Sequence, residues 1–373
     1  MNLSEIMTQV RGLSYSKKDS HNIYFEDSIP VLRAGNIQNA RILQEDYVYV
    51  SNDLVKDKQY LKQGDVLIAA SSGSISIVGK AAMVQSDMNA TFGAFCKVLR
   101  PNAEKVNLNY FKHFFETAYY KITIKSLAEG ANINNLKTEH FDNLEIPLPP
   151  LDQQKKIAAI LDAADAYRQK TKALIEKYDE LTQSLFLDMF GDPVTNPMGW
   201  EKVKLGKISH MKAGKFVKAS SIKSEKNLKL YSCYGGNGLR GYVESFTHEG
   251  EFLLIGRQGA LCGNIKRVNG KFHATEHAIV CSPKMKYESL WLYHMLVMIN
   301  LNKYATGAAQ PGLNVGTLVD LEVMFASYNL QNQFAERVQA IEAQKTKAQA
   351  SLAQAEDLFN SLLQRAFKGE LTN

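Results

Sequence analysis

Cysteine is scarce in this chain, and what there is lies far apart. Cys96, Cys233, Cys262 and Cys281 match neither a disulfide framework nor paired CxxC zinc ligands, so they read as reduced thiols. No apolar run approaches the roughly 18 residues of a membrane span, and Met1–Tyr15 lacks the apolar segment of a secretory signal. A cytoplasmic protein with no membrane contact is therefore expected. Catalytic signatures are missing as well: there is no G-x-S-x-G elbow, no Walker loop and no [ND]-P-P-[FYW] tetrapeptide.

Two near matches fail on their context. Gly236-Asn237-Gly238-Leu239-Arg240-Gly241 fits G-x-G-x-x-G, but a dinucleotide site needs that loop to open a helix, and the following Tyr242–Phe246 reads as a strand. A glycine-rich loop between strands is the preferred reading. His273-Ala274-Thr275-Glu276-His277 fits H-x-x-E-H, which binds zinc only when both histidines share a helix face. Here it leads into the β-prone Ala278–Cys281, where alternation would point the ligands apart.

What the chain does contain is itself, twice. Gly130-Ala131, Leu136, Leu144-Glu145, Gln154, Ala158, Lys170, Ala173, Leu181, Ser184-Leu185 and Phe190 recur 177 positions later as Gly307-Ala308, Leu313, Leu321-Glu322, Gln331, Ala335, Lys347, Ala350, Leu358, Ser361-Leu362 and Phe367. Such a period is too long for a solenoid and describes two copies of a globe followed by a helix. Gly64–Ile68 also matches Gly250–Leu254, and Ala90-Thr91 with Ala94 matches Ala274-Thr275 with Ala278. Twin surfaces suit a ligand with two related faces at a fixed distance, as duplex DNA has. The net charge of +6 is concentrated: residues 195–327 carry 17 Lys+Arg against 9 Asp+Glu, whereas residues 1–150 carry 16 of each. Nine lysines between Lys202 and Lys229 supply much of the excess, and such a cluster suits either phosphate binding or a solvated lysine surface.

Short β-prone segments, Ile29–Leu32, Asp65–Ala70, Cys96–Leu99, Phe252–Ile255 and Ala278–Cys281, sit among turn residues, and helical patterns follow at Tyr110–Thr123 and Leu290–Tyr304. Each globe is predicted to be α+β. Ile146-Pro147-Leu148-Pro149-Pro150 cannot continue a helix, and Asp152 offers an N-cap oxygen. Ile157, Ile160, Ala164, Tyr167, Thr171, Leu174, Tyr178, Leu181 and Leu185 then alternate threes and fours, the seam of a coiled coil. The helix would run about 57 Å before the turn Gly191-Asp192-Pro193. Phe334, Val338, Ile341, Lys345, Ala348, Leu352, Ala355, Phe359, Leu362 and Ala366 repeat the spacing, broken only by Lys345. Two seams in one chain most simply bury their stripes against each other, predicting an antiparallel pair that holds the globes apart. The expected organisation is two α/β domains, 1–150 and 193–327, with long helices in 151–192 and 328–373, related by a pseudo-twofold internal repeat.

The remaining polar loops supply side chains that read base edges or hold phosphates. Candidates in the first globe are Arg11, Ser14, Tyr15, Lys17, Lys18, Arg33, Asn36, Ser71 and Ser72. Those in the second are Lys215, Lys218, Tyr234, Asn237, Arg240, Arg257 and Gln258.

Ile29-Pro30-Val31-Leu32-Arg33-Ala34-Gly35-Asn36-Ile37, Gly64–Ile68, Ile146–Leu151 leading into Gln154, Tyr234–Gly238, Ala274–Ala278 and Ala366–Leu371 stand beside the duplication and the paired helices. Together they resemble the specificity subunit of type I restriction-modification systems over nearly the entire chain. The resemblance implies two target-recognition domains, each reading one half of a split double-stranded DNA sequence. It also implies that the helices set the gap between halves and hold two methyltransferase subunits, which bring S-adenosylmethionine and methylate adenine. Restriction subunits using ATP and magnesium can join, while this chain would itself be non-catalytic and carry no cofactor or metal. The residues leave a second reading open, a duplicated protein–protein scaffold organised by the coiled coil.

Overall fold

The computed structural model describes residues 1–128, 134–259, 261–307 and 311–371. Gly130, Ala131 and Ala308 of the internal repeat lie outside the described residues. The chain divides into two compact units, Met1–Lys172 with Ala350–Asn373, and Ala173–Gln349.

In the first unit Cys96–Pro101 pairs with Met7–Arg11 on one side and Val66–Ala69 on the other, and Val66–Ala69 pairs in turn with Ala81–Met83, all antiparallel. All four residues of Val66–Ala69 are buried, which is why this strand reads as an unbroken apolar run. The helical pattern Tyr110–Thr123 is two helices, Leu108–Phe114 and Ala118–Ala128. Between them the Thr117 hydroxyl donates to the Phe114 carbonyl at 2.7 Å and accepts the Tyr120 N–H at 3.1 Å, so a side-chain cap interrupts one periodic stretch. Tyr110, Phe111 and Phe114 share a core with Ile157, Leu161, Phe359 and Leu363.

The second unit has the same strand order: Ser209–Ala213, Ala278–Pro283, Phe252–Gly256, Ile265–Val268, again antiparallel throughout. Its core gathers Phe186 and Phe190 with Trp291, Met295, Phe334 and Val338. Each unit carries a further sheet built on a parallel pair, Ser28–Leu32 beside Thr91–Phe92 and Tyr231–Gly235 beside Lys271–Ala274.

Leu151–Phe190 and Tyr328–Phe367 are helices of 40 residues each, so both ends keep the 177-residue spacing. The first starts directly after Pro150, whose carbonyl accepts the N–H groups of Gln153 and Gln154. Asp152 therefore lies in the first turn and not at the cap, a place where its charge still favours the helix dipole. Gly191, at φ 76°, ends the helix by taking up the left-handed conformation. Within the second unit the two helices run antiparallel, Asp179 pairing with Lys345 and Phe186 packing edge-on against Phe334.

The second helix turns one stripe inward. Phe334, Val338, Ala348, Ala355, Phe359 and Ala366 are buried, and Ile341, Lys345, Leu352 and Leu362 are half-buried. In the first helix Ile157, Ala164, Thr171, Tyr178 and Leu185 turn inward, but the other half of the seam is displaced by one residue. Ile160, Tyr167, Leu174 and Leu181 are 38%, 54%, 45% and 50% exposed, while Leu161, Arg168, Ile175 and Thr182 take the inward places. Two alternations of three and four share every second position, and choosing by apolarity favoured Ile-Tyr-Leu-Leu over Leu-Arg-Ile-Thr. The polar members are accommodated: the Arg168 guanidinium lies 4.1 Å from the Phe359 ring centre and pairs with Asp165 and Glu116, and Thr182 donates to the Tyr178 carbonyl at 3.0 Å. Moved back by 177 positions, the second seam falls on Ile157, Leu161, Ala164, Arg168, Thr171, Ile175, Tyr178, Thr182, Leu185 and Met189. The repeat itself carried the correct register.

Candidate nucleic-acid interface

In the first unit the ends of the parallel pair open onto a cleft of about 1140 Å³. Ser14, Tyr15, Arg33, Asn36, Ser71 and Ser72 line it, six of the nine expected contact residues of this globe. The Leu13 N–H donates to the Phe92 carbonyl at 2.8 Å and the Gly93 N–H to the Leu32 carbonyl at 2.9 Å, tying the lining to the strands. Only glycine serves at position 12, because a Cβ there would sit 2.2 Å from the Gly93 oxygen. Arg33 is exposed, its Nη2 donating to the Asp46 carbonyl at 2.7 Å. Asn36 departs from the expectation: it is buried, its amide donates to the Leu43 and Glu45 carbonyls at 3.1 and 2.7 Å, and its Oδ1 accepts the Arg33 N–H at 2.8 Å. Its polar atoms are committed to the loop, so it shapes the cleft instead of facing a ligand.

Burial pushes the Tyr15 hydroxyl above its ordinary value against the opposing pull of Arg33, so it stays a neutral donor. Burial likewise carries the Cys96 thiol up to about 12, which keeps it protonated and unreactive. Arg11 lies in a neighbouring groove with Ser14, Lys97 and Asp142. Lys17 and Lys18 are exposed on a short turn whose Ser16 hydroxyl accepts the Lys18 N–H at 3.2 Å.

In the second unit Tyr231–Gly235 and Gly238–Val243 form the hairpin expected of the glycine-rich loop, with Asn237 exposed between them. Gly256 lets that loop approach, since a Cβ there would meet the Gly236 oxygen at 2.2 Å. The Arg240 side chain passes over Gly235. Gln258 Oε1 lies 2.8 Å from His277 Nδ1, and His277 Nε2 lies 3.1 Å from Glu276 Oε1. Burial raises the Cys233 thiol, Arg240 opposing and Glu276 adding to it. Tyr234 is half-buried and stands edge-on to Phe272. The Lys215 N–H donates to the Ala274 carbonyl at 2.8 Å while its carbonyl lies 3.1 Å from His273 Nε2. The side chains of Lys215 and Lys218 are exposed. Among the described residues His273 Nδ1, Thr275 Oγ1 and Glu276 Oε2 are buried without a partner, an unmet hydrogen-bonding capacity concentrated behind this loop.

The two frames coincide bond for bond. Gly93 N–H to Leu32 O is matched by Thr275 N–H to Tyr234 O, at 2.9 Å in both. Cys96 N–H to Gly93 O at 2.8 Å is matched by Ala278 N–H to Thr275 O at 3.0 Å. Ala70 N–H to Phe95 O and Leu136 N–H to Ala70 O are matched by Arg257 N–H to His277 O and Leu313 N–H to Arg257 O, all between 2.8 and 2.9 Å. These bonds align Cys96 with Ala278 and Phe95 with His277. The alignment of Ala90-Thr91 with Ala274-Thr275 is thus two residues out of step. That slip hid Phe95, a cleft residue 71% exposed, which aligning the copies by their parallel strands brings forward.

A sequence profile described as the type I restriction modification DNA specificity domain matches residues 1–178 and 197–355. The chain is 32% identical over 343 residues to the type I restriction enzyme EcoprrI specificity subunit of Escherichia coli, covering 88% of this chain and 84% of that protein. It is 29% identical over 413 aligned positions to the EcoKI specificity subunit of Escherichia coli (strain K12), covering 99% and 88%. Similarity to the StySPI specificity subunit of Salmonella potsdam is 36% over 217 residues, 55% of this chain and about half, 47%, of that relative. Among solved structures, the S subunit of a type I restriction-modification system from M. genitalium superposes with a TM-score of 0.58 at 17% identity, covering 98% of this chain and 95% of that one.

Proposed function

The chain belongs to the type I restriction-modification DNA specificity family, and from that membership we propose that it reads a bipartite double-stranded DNA target for an adenine methyltransferase complex. Residues 1–150 and 193–327 are the two recognition domains, each addressing one half-site through the loops at the ends of its parallel strand pair. The long helices in 151–192 and 328–373 set the gap between half-sites and dock two methyltransferase subunits. S-adenosylmethionine belongs to those subunits, and ATP and magnesium to restriction subunits that join them. The chain itself is non-catalytic.

The observation that carries this reading is the duplicated frame. Four matched backbone hydrogen bonds hold the same loop arrangement twice, while the side chains on it differ: Phe95 against His277 and Ser71 against Gln258. A scaffold that binds one duplicated protein partner has no reason to vary there, whereas two readers of different bases must. Each good bidentate contact discriminates a base pair by about 1–3 kcal/mol, so two modest readers in one frame gain specificity together.

The test is to express the chain with its methyltransferase partner and map methylated adenines across a genome. A two-part motif with a constant gap is expected, and a four-residue insertion in one long helix should change that gap. A continuous motif, or a gap indifferent to the insertion, defeats the reading.

A further inference from the structure

Phe95 is the side chain that the DNA-reading function leaves unexplained. It is 71% exposed in the cleft, where its neighbours on the lining include Ser14, Tyr15, Arg33 and Ser71 as well as Leu13 and Leu43. An exposed phenyl ring is not an accident of a loose loop here. Its carbonyl accepts two N–H groups, from Ala70 at 2.9 Å and Ser71 at 3.0 Å, and the next residue, Cys96, is buried at the start of a central strand. The backbone is anchored on both sides while the ring projects into the cleft, an arrangement with an entropic advantage for a contact made on binding.

We propose that Phe95 is a specificity-determining residue that reads a thymine by packing on its 5-methyl group. The inference rests on the reading of this cleft as a DNA half-site. In the major groove the thymine methyl is the apolar feature that a hydrogen-bonding side chain cannot recognise, and a phenyl ring is among the groups that contact it. The aligned position in the second unit supports the contrast. His277, with hydrogen-bonding neighbours Gln258 and Glu276, offers donors and acceptors where Phe95 offers none. The two half-sites should therefore differ in kind at this position, one read by apolar contact and the other by hydrogen bonds.

The experiment uses the complex of this chain with its methyltransferase partner, on duplexes carrying the motif found by methylation mapping. Each thymine of both half-sites is replaced in turn by deoxyuridine, which removes only the methyl group. At one thymine of one half-site, affinity should fall roughly fourfold, the equivalent of one buried methyl-sized group. Phe95→Ala should remove that sensitivity and relax the motif at the same position, while Phe95→Leu retains part of it. Because the ring is exposed, both variants should keep the wild-type melting temperature. A bipartite motif in which no thymine responds to deoxyuridine overturns the inference and leaves the parent reading standing. So does a Phe95→Ala loss spread evenly over all sequences, which would mark the ring as a non-specific wedge or a contact to the partner protein. Absence of any bipartite motif overturns both.

Discussion

Gln154 and Gln331, one near the start of each long helix and 177 positions apart, make the same two hydrogen bonds. Gln154 donates Nε2 to the Pro149 carbonyl and accepts the Asn107 N–H, both at 2.8 Å. Gln331 donates Nε2 to the Ala326 carbonyl and accepts the Glu288 N–H, again both at 2.8 Å. Both are fully buried, and Asn107 and Glu288 are the N-caps of short helices in their units. Each glutamine thus fastens the entry of a long helix to the globe it follows, through one backbone N–H and one carbonyl.

Gln331→Ala should therefore leave a buried N–H and a buried carbonyl unpaired, a cost of about 2 kcal/mol. Trp200 and Trp291, the chain's two tryptophans, both belong to the second unit, so urea denaturation followed by their fluorescence reports it. An unchanged midpoint would show that water replaces the amide without loss.

The displaced seam gives a paired test. Leu161→Ala should cost about 2–5 kcal/mol, since the side chain is fully buried in the core with Phe359. Its neighbour Ile160→Ala should change stability by less than about 1 kcal/mol, as an exposed substitution does. Thermal melting of the two variants side by side decides between the registers, and the reverse order would restore the seam through Ile160.

His294 should make the second unit acid-sensitive. Burial, with Arg267 adding and Asp179 opposing, holds its imidazole down to about 4, and Nε2 lies buried without a partner among the described residues. A histidine with a depressed folded-state pKa contributes stability that is complete above the unfolded value near 6.5 and is lost as pH falls through that value toward 4. The loss should reach about 3 kcal/mol by pH 4. His294→Leu should flatten the profile between pH 7 and 4 in tryptophan-monitored denaturation; an equally steep variant would place the sensitivity elsewhere.

Lys215 and Lys218 stand exposed on the basic stretch of the second unit. In the assembled complex, changing both to Gln should weaken binding to specific and random duplexes alike. It should also make the slope of log affinity against log salt shallower by about 2, one for each phosphate no longer neutralised. A slope that stays as steep would mean these lysines only solvate the surface.

Much of this molecule was legible before folding. Turn residues around short apolar runs marked Ser28–Leu32, Val66–Ala69, Cys96–Pro101, Phe252–Gly256 and Ala278–Pro283, because a buried strand needs apolar side chains on both faces. The glycine-rich hairpin was legible for the same local reason, and so were both long helices, the first marked by a proline entry and a glycine exit, which are backbone effects. The break at Thr117 was not, since a hydroxyl that caps a helix looks like any other polar residue in a periodic run.

Local chemistry and periodicity thus determined five of the strands, both long helices and the duplication, while the family was legible only as a resemblance of motifs. Period alone could not say which face of Leu151–Phe190 is buried, for two seams share every second position; the repeat held the register, and tertiary structure decided why it holds, since packing against Phe359 admits Arg168 where composition would not. Tertiary structure also decided that Asn36 supports the cleft while Phe95 faces into it. Spacing along the chain cannot distinguish a polar residue spent on its own loop from an apolar one held out to solvent, because that depends on which distant carbonyls and N–H groups the fold brings within reach.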